Sequence, residues 1–196
     1  MKFRGSSPSR AGAWARAAAL AVAAAFSITA SVAYAAAPTP SPEALAGLDA
    51  HAAVELANAW KGAPDVTSFA TSEALVVRFE KTGEQAVVPM PEDAMLVSVA
   101  PYFERTHPCE THFLSSCQGE LVDVPVEVHA FRPSGETLFV RTMSTGANGF
   151  VDLWLPRDEA LVLRFRVGDA VAEGLVATYD GSATCVTAMR LRASVR

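Results

Sequence analysis

The feature that most constrains the fold is a strict alternation of residue character along one stretch. Val122, Val124, Val126, Val128 and Ala130 are interleaved with Asp123, Pro125, Glu127, His129 and Phe131. A period of two belongs to an extended strand with one buried face, because successive side chains point to opposite sides of a sheet. From Met95 onward the chain continues in this manner. Short apolar runs at residues 95–100, 138–144, 150–155, 161–167, 174–179 and 184–191 are separated by turn residues, among them Pro133-Ser134-Gly135 and Asn148-Gly149. About seven short strands with regular turns predict an antiparallel β-sandwich over residues 93–196.

The part before it reads differently. Ser41 is placed to cap a helix, with Pro42 at its first position and Glu43 in its first turn. Leu45, Leu48, Ala52, Leu56 and Ala59 recur at three- and four-residue spacing and predict one apolar stripe, ended by Gly62 and Pro64. Residues 74–79 and 85–89 flank Lys81-Thr82-Gly83-Glu84 and predict a hairpin. A helix and a hairpin are too little to fold alone, so residues 36–92 are expected to dock on the sandwich or to pair two copies of the chain. The fold class expected is thus mainly β, a small N-terminal α/β segment followed by the sandwich. The run from Val126 through Gly135, with Asn148-Gly149-Phe150 and residues 161–167, also resembles transthyretin-like repeats, which implies architecture and no function.

Residues 1–35 carry the pattern of an export signal. Lys2, Arg4, Arg10 and Arg16 form a basic start without an acid, an Ala-rich apolar stretch follows, and Ala33-Tyr34-Ala35 supplies small residues where a signal peptidase cuts. Too few Leu, Ile or Phe are present to anchor the stretch firmly in a bilayer, and no cysteine follows for lipid attachment. Cleavage removes 4 of 16 basic residues and none of 21 acids, leaving 12 against 21, a charge of −9. An acidic exported chain without a basic cluster argues against nucleic acid and anionic membrane surfaces as partners.

All three cysteines, Cys109, Cys117 and Cys185, lie in the mature part, where paired thiols oxidise. Their odd number leaves one to stay free, bind a metal or bridge to another chain. Between two predicted strands, His107-Pro108-Cys109-Glu110-Thr111-His112-Phe113-Leu114-Ser115-Ser116-Cys117 brings two thiols and two imidazoles into eleven residues. Thiolates suit Cu(I), and imidazole accepts copper or zinc. Cys185 falls on a late predicted strand with Thr187 and Met189 on its face. Spacing alone leaves three arrangements open: a copper site, a zinc site of two or three Cys with a His, and an ordinary Cys109–Cys117 disulfide worth about 2–3 kcal/mol.

The run Cys109-Glu110-Thr111-His112-Phe113-Leu114-Ser115-Ser116-Cys117-Gln118-Gly119-Glu120-Leu121 resembles the signature of the CueP family of copper-resistance envelope proteins. Asn148-Gly149-Phe150-Val151-Asp152-Leu153-Trp154-Leu155-Pro156 and Thr184-Cys185-Val186-Thr187-Ala188-Met189-Arg190-Leu191 agree with it in the same order. The resemblance covers roughly residues 90–191. It implies a periplasmic protein that binds copper, limits its toxicity, reduces Cu(II) with its cysteines and supplies a Cu,Zn superoxide dismutase. Cys109, Cys117 and Cys185 then become copper ligands and redox thiols, with His112 as an accessory ligand and His107 as an additional candidate.

Other residues carry less. His51 and Glu55 read as a solvated helix flank, His129 as a surface residue, and Met90, Met95 and Met143 as core. Ser115 and Ser116 have no catalytic partner at an identifying spacing, so no enzyme is expected beyond thiol reduction, which is stoichiometric unless the thiols are restored. Two other function classes compete: a disulfide-stapled structural module, for which Cys185 is dispensable, and a metal-independent thiol oxidoreductase, which the lack of a Cys-x-x-Cys pair disfavours.

Overall fold

The structure is a computed structural model and describes residues 37–193; the expected export signal lies outside them. Two short helices open the described residues, α1 (Pro42–Leu45) and α2 (Ala50–Ala59). Ser41 caps the first as expected, its hydroxyl oxygen accepting the Ala44 N–H at 3.3 Å. The single predicted helix is nevertheless broken. Gly47 takes a left-handed turn (φ 75°), and Asp49 caps a new helix by accepting the Ala52 N–H at 2.9 Å. Restarting the helix shifts its buried stripe to Ala50, Ala53, Val54, Ala57 and the following Trp60, and leaves Ala59 exposed.

Three strands follow as an antiparallel sheet in the order β1 (Val66–Ala70), β2 (Ala74–Phe79), β3 (Glu84–Pro89). The predicted hairpin is β2–β3, paired from Ala74 opposite Pro89 to Phe79 opposite Glu84. Its third strand, β1, was not expected, because Val-Thr-Ser-Phe-Ala offers little hydrophobic alternation by which to mark it.

The remaining strands are β4 (Ala94–Val99), β5 (Pro125–Phe131), β6 (Thr137–Ser144), β7 (Val151–Pro156), β8 (Ala160–Val167), β9 (Ala170–Ala177), β10 (Cys185–Val186) and β11 (Arg192–Ala193). They form a three-stranded sheet, β10-β4-β7, and a five-stranded sheet, β11-β9-β8-β5-β6. All pairs of named strands are antiparallel except β10 with β4. The molecule is mainly β with a small helical N-terminal part, as the sequence predicts.

Three expected strands differ in extent. The alternating stretch enters its strand only at Pro125, since Asp123 adopts φ 53° and Val122 stays 43% exposed. The strand expected from residue 174 starts at Ala170, straight after a turn at Gly168 with φ 57°. The run 184–191 pairs only at Cys185–Val186, and Met189 packs in the sandwich core against Gly174 rather than in the apolar cluster of Cys185.

Two hydrophobic cores share β4. On one side Met95, Val97, Val99, Leu153 and Leu155 meet Val126, Val128, Ala130, Leu161, Leu163 and Phe165 between the sheets. On the other, Leu96 and Trp154 meet Val54, Ala57, Leu75, Val77 and Leu114. A strand covered on both faces needs an uninterrupted apolar run, and β4 has one apart from Ser98. That hydroxyl donates to Asp152 Oδ1 at 2.6 Å, while Asn58 donates to Oδ2 at 2.7 Å. No helix among the described residues is long and apolar enough to cross a membrane.

Candidate metal centre

The connection from β4 to β5 carries Cys109, His112 and Cys117, and it is fixed by backbone groups from both parts of the molecule. Ala70, at the end of β1, donates its N–H to the His112 carbonyl at 2.9 Å. The Thr184 hydroxyl donates to the Ala70 carbonyl at 2.6 Å and accepts the His112 N–H at 3.0 Å. The N–H groups of Thr184 and Cys185 both donate to the Glu110 carbonyl, at 2.9 and 3.0 Å. Leu114 is sunk completely into the N-terminal core, and the Cys117 N–H closes a turn onto the Phe113 carbonyl at 2.8 Å. Lys61, just beyond α2, donates to the Cys117 carbonyl at 2.8 Å.

Below the loop two backbones cross in contact. The Gly119 N–H donates to the Asn148 carbonyl at 2.7 Å. A Cβ on Gly119 would lie 2.9 Å from the Gly149 carbonyl carbon and closer still to its oxygen, and Gly149 itself has φ 77°. Only glycine at both positions permits this approach, which seats Phe150 beneath the thiols beside Ala100, Cys117 and Cys185. Periodicity gave no sign of Thr184, Lys61 or Phe150 as parts of the site. The Gln118-Gly119-Glu120 and Asn148-Gly149-Phe150 motifs were the available signal for the glycine crossing.

The structure brings all five sequence-predicted residues together. The Sγ atoms of Cys109 and Cys117 are 3.6 Å apart, a contact between free thiols and not a bond. Ligand atoms of His112, Cys117 and Cys185 all lie within 4.8 Å of one another, and those of His107, Cys109 and Cys117 do likewise. His112 is 0% exposed, Cys185 2% and Cys117 8%, while His107 and Cys109 are half-buried. The His112 ring lies 4.5 Å from the Phe150 ring, and neither Nδ1 nor Nε2 has a hydrogen-bond partner. An imidazole buried without a partner is expensive, at about 1–3 kcal/mol for each unpaired polar group.

The three thiols are shifted in opposite directions. A hydrogen bond from Cys185 pulls Cys117 down to about 3 against the cost of burial, and the adjacent His112 imidazole adds to the effect. Cys185 is pushed up, first by that same hydrogen bond and then by burial. Burial also raises Cys109, whose thiol donates to the Thr111 carbonyl at 3.1 Å. The arrangement is three thiols beside one buried imidazole, with the proton held least tightly at Cys117. Soft sulfur donors with one nitrogen form a donor set that suits copper.

His51 stacks on Trp154 with ring centroids 3.9 Å apart, and His129 is 3.0 Å from the Thr137 hydroxyl; neither belongs to the site. Met90 and Met95 are in the two cores, and Met143 packs against the sandwich core.

Residues 54–190 match the family described as periplasmic copper-binding protein CueP. The match starts in α2, well before the stretch from residue 90 that the sequence motifs cover. A solved structure titled "Crystal Structure of S.CueP" is 31% identical, with a TM-score of 0.68 over 76% of this chain and 92% of that one. No curated protein matches. With its thiols and free imidazole set on this scaffold, the chain belongs to the CueP family of periplasmic copper-binding proteins.

Proposed function

We propose that this chain is exported to the periplasm, holds copper there as Cu(I), and thereby contributes to copper resistance. Cys117, Cys185 and His112 form the holding set, with Cys109 and His107 beside it. The observation that carries this is His112: a fully buried ring with two unpartnered nitrogens next to three free thiols. A structural module stapled by a disulfide has no use for such a residue, and a zinc site of ordinary finger type has different spacing.

The same thiols can reduce Cu(II). Two Cu(II) ions take one electron each from the Cys109 thiol and the Cys117 thiolate, which release one proton and join as a disulfide. Cys109 and Cys117, with sulfurs 3.6 Å apart, are the pair suited to this. An external dithiol must reverse it, so the reaction is stoichiometric without one. Delivery of the bound Cu(I) to a periplasmic Cu,Zn superoxide dismutase is the outlet that the family resemblance supports.

Anaerobic titration of the reduced protein with Cu(I) against a competing chelator tests the reading. Tight binding is expected, lost when Cys117 is replaced by Ser and weakened about tenfold or more when Cys185 is. Binding no tighter than the chelator, unaltered by those replacements, would return the fold to a structural role.

A further inference from the structure

The donors around Cys117 form two groups, and the difference between them has a function. One comprises His107, Cys109 and Cys117; the other comprises His112, Cys117 and Cys185. They share a single sulfur. The second group is buried throughout, His112 and Cys185 almost completely, whereas His107 and Cys109 are partly open to solvent. His107 also lines a surface depression of about 310 Å³ together with Arg105, Thr106, Gln118, Gly119 and Glu120. Both imidazoles face Phe150, with ring centroids 6.4 Å away for His107 and 4.5 Å for His112.

We infer that the site is a two-position relay: Cu(I) is captured at His107, Cys109 and Cys117, then moves inward to His112, Cys117 and Cys185. The inference rests on the copper-binding function proposed above and adds the route by which the ion travels. An ion arriving from solvent cannot meet His112 or Cys185 first, because neither is accessible. It can meet His107 and Cys109. Cys117 then remains bound while outer donors are exchanged one at a time for inner ones. Two or three bonds to copper persist throughout, no bare ion forms, and the oxidation state does not change. Export of the ion runs the same steps backwards.

A second depression reaches the loop from another side, lined by Thr71, Ser72, Glu73, Glu110, Thr111 and Thr184 among others. It offers hydroxyls and carboxylates but neither sulfur nor imidazole, and hard oxygen donors do not compete for Cu(I). The geometry therefore assigns capture to the His107 side.

The test separates rate from affinity in the reduced, full mature chain, with Cu(I) supplied by and returned to a chelator of known affinity. His107→Gln is expected to slow both uptake and release about tenfold, with a smaller change in equilibrium affinity. His112→Gln and Cys185→Ser are expected to do the reverse, lowering affinity about tenfold or more with uptake slowed less. Glu73→Gln, in the other depression, should alter neither. Because Cu(I) is diamagnetic, long-range proton–nitrogen spectra report which imidazole holds it. The His112 ring should shift in the loaded native protein, and the His107 ring in loaded Cys185→Ser. A well-dispersed spectrum of each variant shows that it has folded. Three results overturn the relay and leave copper binding standing: equal affinity losses in His107→Gln and His112→Gln, unchanged rates in His107→Gln, or a His107 shift in the loaded native protein. Absence of Cu(I) binding by the native protein would instead overturn the function on which the relay rests.

Discussion

Cys117 differs from an ordinary cysteine because its neighbours divide their protons unequally. A free thiol ionises near 8.5, yet the hydrogen bond from Cys185 and the nearby His112 hold Cys117 down to about 3. Between those two values the folded protein carries one proton fewer at this position than the unfolded chain. Stability from this group is therefore fully present above the unfolded value and is lost as pH falls through the folded one. Cys185, raised by the same bond, keeps its proton in this window and adds no opposing slope until the pH passes its unfolded value. The reduced, metal-free protein should accordingly show ultraviolet thiolate absorbance of one cysteine at about pH 5, where unperturbed thiols show none. Cys117→Ser should abolish it, and unfolding in denaturant should abolish it too. Absorbance that emerges only in the ordinary thiol range would mean that the three sulfurs do not share protons in this way.

At the scale of elements, the legible parts were those whose signal is periodic or local. The β2–β3 hairpin, β4, β6, β7 and β8 were readable to within a residue or so, because alternation and turn residues mark them. The Ser41 cap was readable from three neighbours. The second cap at Asp49 was missed because an apolar stripe can be drawn across Gly47, and only the backbone conformation there shows the break. β10 is two residues long and owes its place to β4, to which it is parallel, and to the Glu110 carbonyl, so no periodicity could bound it. The thiol loop showed its chemistry in its residue types but not its attachment points, which are backbone groups donated by distant segments. The crossing of the loops at Gly119 and Gly149 is the clearest of these. Gly119→Ala would force a Cβ into the Gly149 carbonyl, and overpacking of this kind costs about 1–3 kcal/mol. Denaturant unfolding should show a loss of that size, with Cu(I) affinity falling as Phe150 is displaced. Gly135→Ala is the contrasting change, since no atom lies near its Cβ and only its φ of 91° is strained. It should leave copper affinity intact. Equal copper affinities in both variants would mean that the crossing does not position the site.

Across the whole molecule, the site sits where the two cores meet, and this bears on what residues 36–92 contribute. Their helix and strands cover Leu96, Leu114 and Trp154, all of which belong to elements beyond residue 92. They also supply the Ala70 N–H and carbonyl that hold His112 and Thr184, and the Lys61 ammonium on the Cys117 carbonyl. A fragment of residues 93–196 keeps every cysteine and histidine of the site and the complete core between the sheets. It loses the cover on one face of β4 and the anchors of the loop. The exposed apolar face should make it self-associate, and the released loop should bind Cu(I) more weakly than the full mature chain. The ordering of the loop must then be supplied by the binding itself, which lowers the net affinity. Adding residues 36–92 as a separate peptide should restore part of the affinity if docking is what preorganises the thiols. Size-exclusion chromatography and chelator competition on the fragment, alone and with the peptide, measure both effects. A monomeric fragment that binds Cu(I) as tightly as the full chain would show that the N-terminal segment serves something other than the site, and would leave pairing of two chains as the role to test for it.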